Sequence, residues 1–170
     1  VDLTAPVGVG GTLLLDPLDI VLDNSTQSSP TDNANPTPDV AFGDAPAGGT
    51  TTIEITDVVG FSELHLQATQ DISLNADMTM NSNNSVVFQA GRHININANL
   101  AVTGSGTISL TADADFSGAG GAAADGVGAI TRGAAGNTIS QDAGTLTLNA
   151  GSGITATTEV PTVSFSNSAT

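Results

Sequence analysis

From Leu64 onward, apolar residues alternate with Gln, Asn, Ser, Thr and Asp, the period of two that turns one face of an extended strand inward. The alternation also repeats at long range. "TQDISLNAD", residues 69–77, and "GRHININAN", residues 91–99, carry the same pattern 22 residues apart, with Ile72, Leu74 and Ala76 matching Ile94, Ile96 and Ala98. The step extends to other columns: Leu64 with Val86 and Ile108, Leu66 with Phe88 and Leu110, Ala68 with Ala90 and Ala112, and Ile72 with Ile94 and Phe116. Leu74 with Ile96, Met78 with Leu100 and Met80 with Val102 complete it.

Three short strands fit in each repeat, for example 64–68, 72–76 and 78–81, separated by turn residues such as "TQD" or "GRH". Linkers this short leave no room for reversals that keep a 22-residue register, so each repeat reads as one full coil laid parallel on the last, about 4.8 Å further along an axis. The pattern predicts an all-β chain, a parallel β-helix (solenoid) of roughly five to six coils of about 22 residues, with helix absent throughout. Residues 1–170 then form a single segment with two loop excursions. "GTLLLDPLDIVLDN", residues 11–24, supplies an early coil edge, with Leu13 and Leu15 on one strand and Ile20 and Leu22 on the next. Residues 25–49, rich in Pro, Asn and Ser and without periodicity, are the first excursion. "TTIEITDVVGFSEL", residues 51–64, re-enters the stack. The Gly/Ala-rich "SGAGGAAADGVGAITRGAAG", residues 117–136, is a loop insertion, after which Leu146, Leu148 and Ala150 resume the pattern.

The order "GTLLLDPLDIVLDN", a polar insertion, "TTIEITDVVGFSELHLQATQDISLNAD" and "VVFQAGRHININANLAVTGSGTISLTAD" resembles the rod segments of filamentous haemagglutinin-like exoproteins of bacterial two-partner secretion, over residues 11–24 and 51–158. That resemblance implies a right-handed β-helix, an extracellular or cell-surface location and an adhesive or structural role. The family's secretion-signalling region is not found here, so a piece of the shaft is expected.

Composition narrows the function classes. Two basic residues against 17 acidic ones give a formal net charge of −15, although only 11% of residues are charged. Such a field repels phosphate backbones and anionic membranes, and nucleic-acid binding is set aside. No run of about 18 apolar residues could span a bilayer, and "VDLTAPVGVGG" lacks the basic region and apolar core of a signal peptide. The expectation is a mature chain or one cut from something longer. Polysaccharide lyases and hydrolases share β-helical scaffolds, but their chemistry needs carboxylates beside Lys or Arg and aromatic platforms. Trp, Tyr and Lys are absent and aromatics make up 3%, so the chain reads as no enzyme, with no catalytic, cofactor or metal site assigned.

The candidate chemistry is sparse. Asp71, His93 and Asp115 fall 22 residues apart and are expected to stack at one outer corner, where flanking carboxylates would favour a charged histidine or hold a divalent metal. Against this stands a merely solvated corner. Asp113 and Asp115 in "TADADFSG" raise calcium, without the nonapeptide pattern of calcium-bound β-rolls. Asn75 over Asn97 and Asp77 over Asn99 read as structural ladders of stacked polar groups. The outward columns His65, Val87, Ser109, Thr147 and Gln67, Gln89, Thr111, Asn149 are too mixed for a flat threonine array. "NST" at 24–26 and "NNS" at 83–85 match the glycan acceptor pattern, idle in a bacterium.

A stack of coils exposes strand edges at both ends, and neither end offers an amphipathic helix as a cap. The expected partners follow: further copies joined end to end into a fibre, or a host-cell, cell-surface or glycan ligand met by the loops at 25–49 and 117–136. A carbohydrate-binding module or lyase remnant on the same scaffold is the alternative.

Overall fold

Alternating sequences extend their backbones, and in the computed structural model of this chain the extended segments align side by side. The structure describes residues 12–15, 18–24, 49–81, 83–117, 123–133, 137–154, 158–159 and 163–167. In chain order the elements are strands β1 (Thr12–Leu15), β2 (Asp19–Asp23) and β3 (Thr50–Glu54), then helix α1 (Ile55–Val58). Three strands follow per repeat: β4 (Glu63–Ala68), β5 (Ile72–Leu74) and β6 (Met78–Met80), then β7 (Ser85–Ala90), β8 (Ile94–Ile96) and β9 (Leu100–Val102). The next set is β10 (Ile108–Ala112), β11 (Ala129–Arg132) and β12 (Ile139–Gln141), then β13 (Leu146–Ala150), β14 (Gly153–Ile154) and β15 (Thr158–Glu159), with β16 (Val163–Asn167) last.

The described chain is mostly strand, and its strands sort into three parallel sheets that take every third strand, except that the second also holds β3 beside β2. The first sheet runs β1-β4-β7-β10-β13-β16, the second β3-β2-β5-β8-β11-β14, and the third β6-β9-β12-β15. Every pairing is parallel. Leu64 lies opposite Val86 and Val86 opposite Ile108, so the 22-residue step of the sequence is the register of the first sheet. Ile72 opposite Ile94 and Met78 opposite Leu100 carry the same step into the other two sheets.

Parallel pairing at a fixed step stacks like on like. The second sheet places Ile20, Ile72, Ile94, Ile130 and Ile154 in one column. The first places Leu66, Phe88, Leu110 and Leu148 in another, all fully buried. A single apolar cluster joins the three sheets from Ile20 to Ala150. Gln141 interrupts it: it follows Met80 and Val102 in the third sheet, is buried, and donates from Nε2 to Gly104 O at 3.2 Å.

Three expectations change. The insertion does not run unbroken over 117–136, because Ala129–Arg132 forms β11 and pairs with β8. Residues 118–122 and 134–136 of it lie outside the described residues, as do residues 25–48 of the first excursion. Phe116 accordingly leaves the isoleucine column, and Ile130 lies opposite Ile94 at a spacing of 36 residues rather than 22. Finally, residues 51–64 re-enter the stack as expected, but with a helix among them where none was expected. β3 pairs with β2 on the side away from β5, one level before it. The chain then turns through α1, whose Ile55 and Val58 are buried in the core with Ile53, and returns to lay β4 on β1. A four-residue helix therefore carries apolar side chains into the core at the end where no helix was expected.

Close stacking leaves no room for Cβ atoms at some turns. One added at Gly106 would overlap Asn84 O, and one at Gly144 would overlap Gly106 O, so one glycine stands on another. Removing a ring from the core should weaken the molecule far more than removing an outward hydroxyl. Phe88→Ala is expected to cost about 3–5 kcal/mol in urea unfolding, and Ser109→Ala, on the outer face of the same sheet, within about 0.5 kcal/mol.

Candidate functional site

Each strand start places a backbone N–H at a turn, next to the turn of the neighbouring repeat, and unpaired N–H groups there would be costly to shield from water. Short polar side chains meet this need in ladders. Before β5, Asp19 Oδ1 accepts the N–H of Asp71 at 3.0 Å, and Asp71 Oδ1 accepts the N–H of His93 at 3.0 Å. His93 Nδ1 then accepts the N–H of Ala129 at 3.1 Å. Before β6, Asp77 Oδ1 accepts from Asn99 N at 2.8 Å, and Asn99 Oδ1 accepts from Thr138 N at 3.0 Å. Before β7 and β10, Asn83 Oδ1 accepts from Ser105 N at 2.9 Å and Ser85 Oγ from Thr107 N at 3.2 Å. In each pair the earlier repeat accepts from the later one.

The corner singled out in the sequence is only partly assembled. Asp71 and His93 stack as expected, but the next position is Ala129, because Ile130 and not Phe116 follows Ile94. Asp115 stands apart: its Oδ1 accepts the N–H of Ser117 at 2.9 Å, and hydrogen bonds from the Ser117 hydroxyl and N–H hold its carboxyl below the ordinary value. His93 does not sit between two carboxylates. Its Nδ1 accepts a hydrogen bond, which requires that nitrogen without its proton.

A residue outside the expected trio completes the corner. Arg92 forks onto Asp71, with Nε donating to Oδ1 at 2.8 Å and Nη2 to Oδ2 at 2.7 Å. Partial burial pushes the Asp71 carboxyl up, but the Arg92 hydrogen bonds, the His93 N–H and the guanidinium charge together outweigh it, leaving the carboxyl below its ordinary value. The pair is half-exposed, with Arg92 at 52% and Asp71 at 22%. It fastens one repeat to the next at the surface.

The calcium expectation meets a different geometry. Asp113, at φ 62°, turns the chain out of the stack, and its two carboxylate oxygens accept the returning N–H groups of Asp125 and Gly126, each at 2.8 Å. Asp113 thus closes the insertion on itself, and Asp115 faces its own turn. Among the described residues no three His, Cys, Asp or Glu side chains lie together as a metal cluster. Above the latch, Ser152 Oγ donates to Val127 O at 2.5 Å, and Ser152 N donates to Gly128 O at 2.9 Å. Beside it lies a shallow cleft of about 260 Å³ lined by Thr111, Asp113 and Asn149 with small apolar neighbours. Val127, at 60% exposure, stands on the same returning segment.

Both amide ladders are present. Asn97 Nδ2 donates to Asn75 Oδ1 at 2.8 Å, and Asn99 Nδ2 donates to Asp77 Oδ1 at 3.0 Å. On the outer face of the first sheet, Gln89 Oε1 takes hydrogen bonds from Gln67 Nε2 at 2.6 Å and His65 Nε2 at 2.9 Å, within the two mixed columns read from sequence. Of the glycan acceptor patterns, Asn83 is tied to Ser105, and residues 25–26 of the other lie outside the described residues. Sequence reasoning passed over Asp19, Arg92 and the latching role of Asp113. The 22-residue spacing could not flag Asp19, which is 52 residues from Asp71, although "ADGVG" did carry a turn signal for the return.

Compared with family models, curated proteins and solved structures, the chain matches none of them. The site therefore stands on its geometry, which among the described residues links one repeat to the next.

Asp71→Asn should lower stability at neutral pH by removing half of the Arg92 fork. The native carboxyl lies below its unfolded value, so its contribution is present above about pH 4. It is lost as pH falls through the depressed native value. Denaturant titrations of both proteins from pH 7 to pH 2 should show a gap that closes only in the acid range.

Proposed function

We propose that the three sheets wind as a right-handed parallel β-helix and that the chain is a non-enzymatic shaft segment of a bacterial surface adhesin or extracellular fibre, akin to filamentous haemagglutinin-like exoproteins. The winding is supported by the strand order, since, β3 apart, each sheet takes every third strand and all pairs are parallel. Parallel crossovers are right-handed in roughly 98% of cases. The resemblance in motif order, noted above, supplies the adhesin class and the extracellular or cell-surface location.

One observation carries the functional reading: the polar side chains at the corners point along the stack and are occupied by the next repeat's backbone. A catalytic site needs a nucleophile or acid–base pair left available to substrate. Here Asp71, His93, Asp77, Asn99 and Asp113 already hold the scaffold together. The recognition surface is then the returning segment of the insertion, with its exposed Val127 and with Ala124 lining the cleft at Thr111 and Asn149. A host-cell, cell-surface or glycan ligand is the class of partner. The carbohydrate-binding alternative draws on that same cleft.

The test is a glycan and cell-binding array run alongside a polysaccharide depolymerisation assay. Wild type is expected to bind without releasing new chain ends, and Val127→Asp to weaken binding about tenfold, equivalent to about 1.4 kcal/mol, with an unchanged melting temperature. Turnover of any polymer would replace the structural reading with a lyase or hydrolase.

A further inference from the structure

Residues 125–129, the return of the insertion into the stack, are fastened by side chains from three different repeats. Asp113 accepts the N–H groups of Asp125 and Gly126, each at 2.8 Å, and Ser152 donates to the carbonyls of Val127 and Gly128. His93 Nδ1 takes the N–H of Ala129, the first residue of β11, at 3.1 Å. Between these bonds the chain is seated closely: a Cβ on Gly128 would overlap both Arg92 O and Asp113 N.

A proton acts on these fastenings unequally. At the other strand starts the ladder acceptors are the side-chain oxygens of Asp19, Asp71, Asp77, Asn99, Asn83 and Ser85. A protonated carboxyl still has lone pairs to offer, and amide and hydroxyl oxygens keep theirs. A neutral imidazole has one acceptor nitrogen, and protonating it leaves two donors and no acceptor. The step from His93 to Ala129 then sets N–H against N–H, so a bond that closes β11 onto the corner becomes repulsive in acid. We propose that His93 is a pH-sensitive catch on the insertion: protonation at Nδ1 releases the Ala129 N–H, and residues 125–129 leave their seating. The consequence for binding rests on the recognition reading above, because Val127 lies just before Ala129 on the same segment; the catch itself does not.

Charged groups meet His93 from each side. On the preceding repeat Asp71 accepts the His93 N–H at 3.0 Å and lies close enough for the two charges to attract. On its own turn Arg92 opposes a second positive charge, although its guanidinium is forked onto Asp71. On the following repeat Asp113 adjoins the turn, its N–H donating to Arg92 O at 3.2 Å and its carboxylate committed to Asp125 and Gly126. Asp19 lies one step beyond Asp71. The carboxylates stabilise an imidazolium once the catch is open, whereas the Ala129 N–H and Arg92 oppose one while it is closed. The closed catch excludes a proton that the open one accepts, so acid favours opening, by up to about tenfold in the closed-to-open ratio per pH unit. The range is the one in which histidine side chains change charge, about pH 8 to about pH 5. Opening is local: Ile130 stays buried opposite Ile94, and Thr131 Oγ1 donates to Asn95 Oδ1 at 2.8 Å, with no titrating group in either contact.

NMR of the full ¹⁵N-labelled chain reads the catch directly. At about pH 8 a coupling through the hydrogen bond should join the Ala129 nitrogen to His93 Nδ1, and the Ala129 amide should exchange slowly. Towards about pH 5 that coupling should vanish as the His93 ring nitrogens titrate. Ala129 exchange, corrected for its intrinsic pH dependence, should quicken about tenfold or more. The Asn97 amide, bonded to Leu74 O at 2.9 Å, should keep its protection. In His93→Asn the side-chain oxygen replaces Nδ1 as acceptor and does not titrate, so Ala129 should stay protected throughout. A bond from Ala129 to His93 that persists at the acid end, a ring that stays neutral there, or the same loss in His93→Asn would overturn the catch. The glycan and cell-binding array described above, repeated at both ends of the range, separates the two readings. Binding by wild type should depend on pH and binding by His93→Asn should not. An open catch with unchanged or absent binding would overturn the recognition reading and leave the catch standing.

Discussion

Parallel, in-register pairing of each repeat with the next is the constraint on which everything else in this molecule depends. Once a residue must lie beside its counterpart, the sequence can no longer choose inward residues independently. Each inward column becomes a stack of similar side chains, as in the run of isoleucines from Ile20 to Ile154. Each turn must also let one backbone rest on another, which is why Gly144 stands on Gly106 and Gly106 on Asn84. The outward columns are free of that demand and vary, from His65 to Val87 to Ser109.

The same constraint explains the unusual composition. A conventional domain keeps its polar residues for solvent and surface ion pairs, whereas stacked turns need short acceptors that reach the next backbone. Asp, Asn and Ser do this at the starts of successive strands, and Arg92 adds a cation-to-carboxylate clamp at Asp71. Acidic residues are thus useful individually even though their sum is strongly negative. Among the described residues these side chains are engaged with the neighbouring repeat, and in the reading proposed above recognition would fall to what interrupts the stack. The insertion latched by Asp113 is such an interruption: it carries the exposed Val127 and contributes Ala124 to the wall of a cleft.

How much of this was legible depended on the length of the pattern. The strands from Leu64 to Val102 could be read because alternation and the 22-residue step reinforce each other there, and the register agrees column by column. Ile130 was missed because "AITR" offers a single buried apolar residue between glycine-rich neighbours, while Phe116 happened to fall at the regular spacing. The geometry that decides between them, a left-handed turn at Asp113 and a return fixed by its carboxylate, has no periodic signature. α1 escaped notice for the opposite reason: "ITDV" is one turn long, too short to show a helical period, and it follows an alternating strand without a break. At the corner, spacing found Asp71 and His93, but the partners that fix their roles, Asp19, Arg92 and Ala129, sit at other spacings.

The most direct test of the central claim is to record side-chain contacts in solution by methyl and aromatic NOE spectroscopy. Parallel register predicts strong contacts from Leu66 to Phe88, from Phe88 to Leu110 and, across the insertion, from Leu110 to Leu148, together with Ile94 to Ile130. Backbone contacts of an antiparallel kind between successive strands, such as β4 and β5, or an Ile94 to Phe116 contact in place of Ile94 to Ile130, would contradict it.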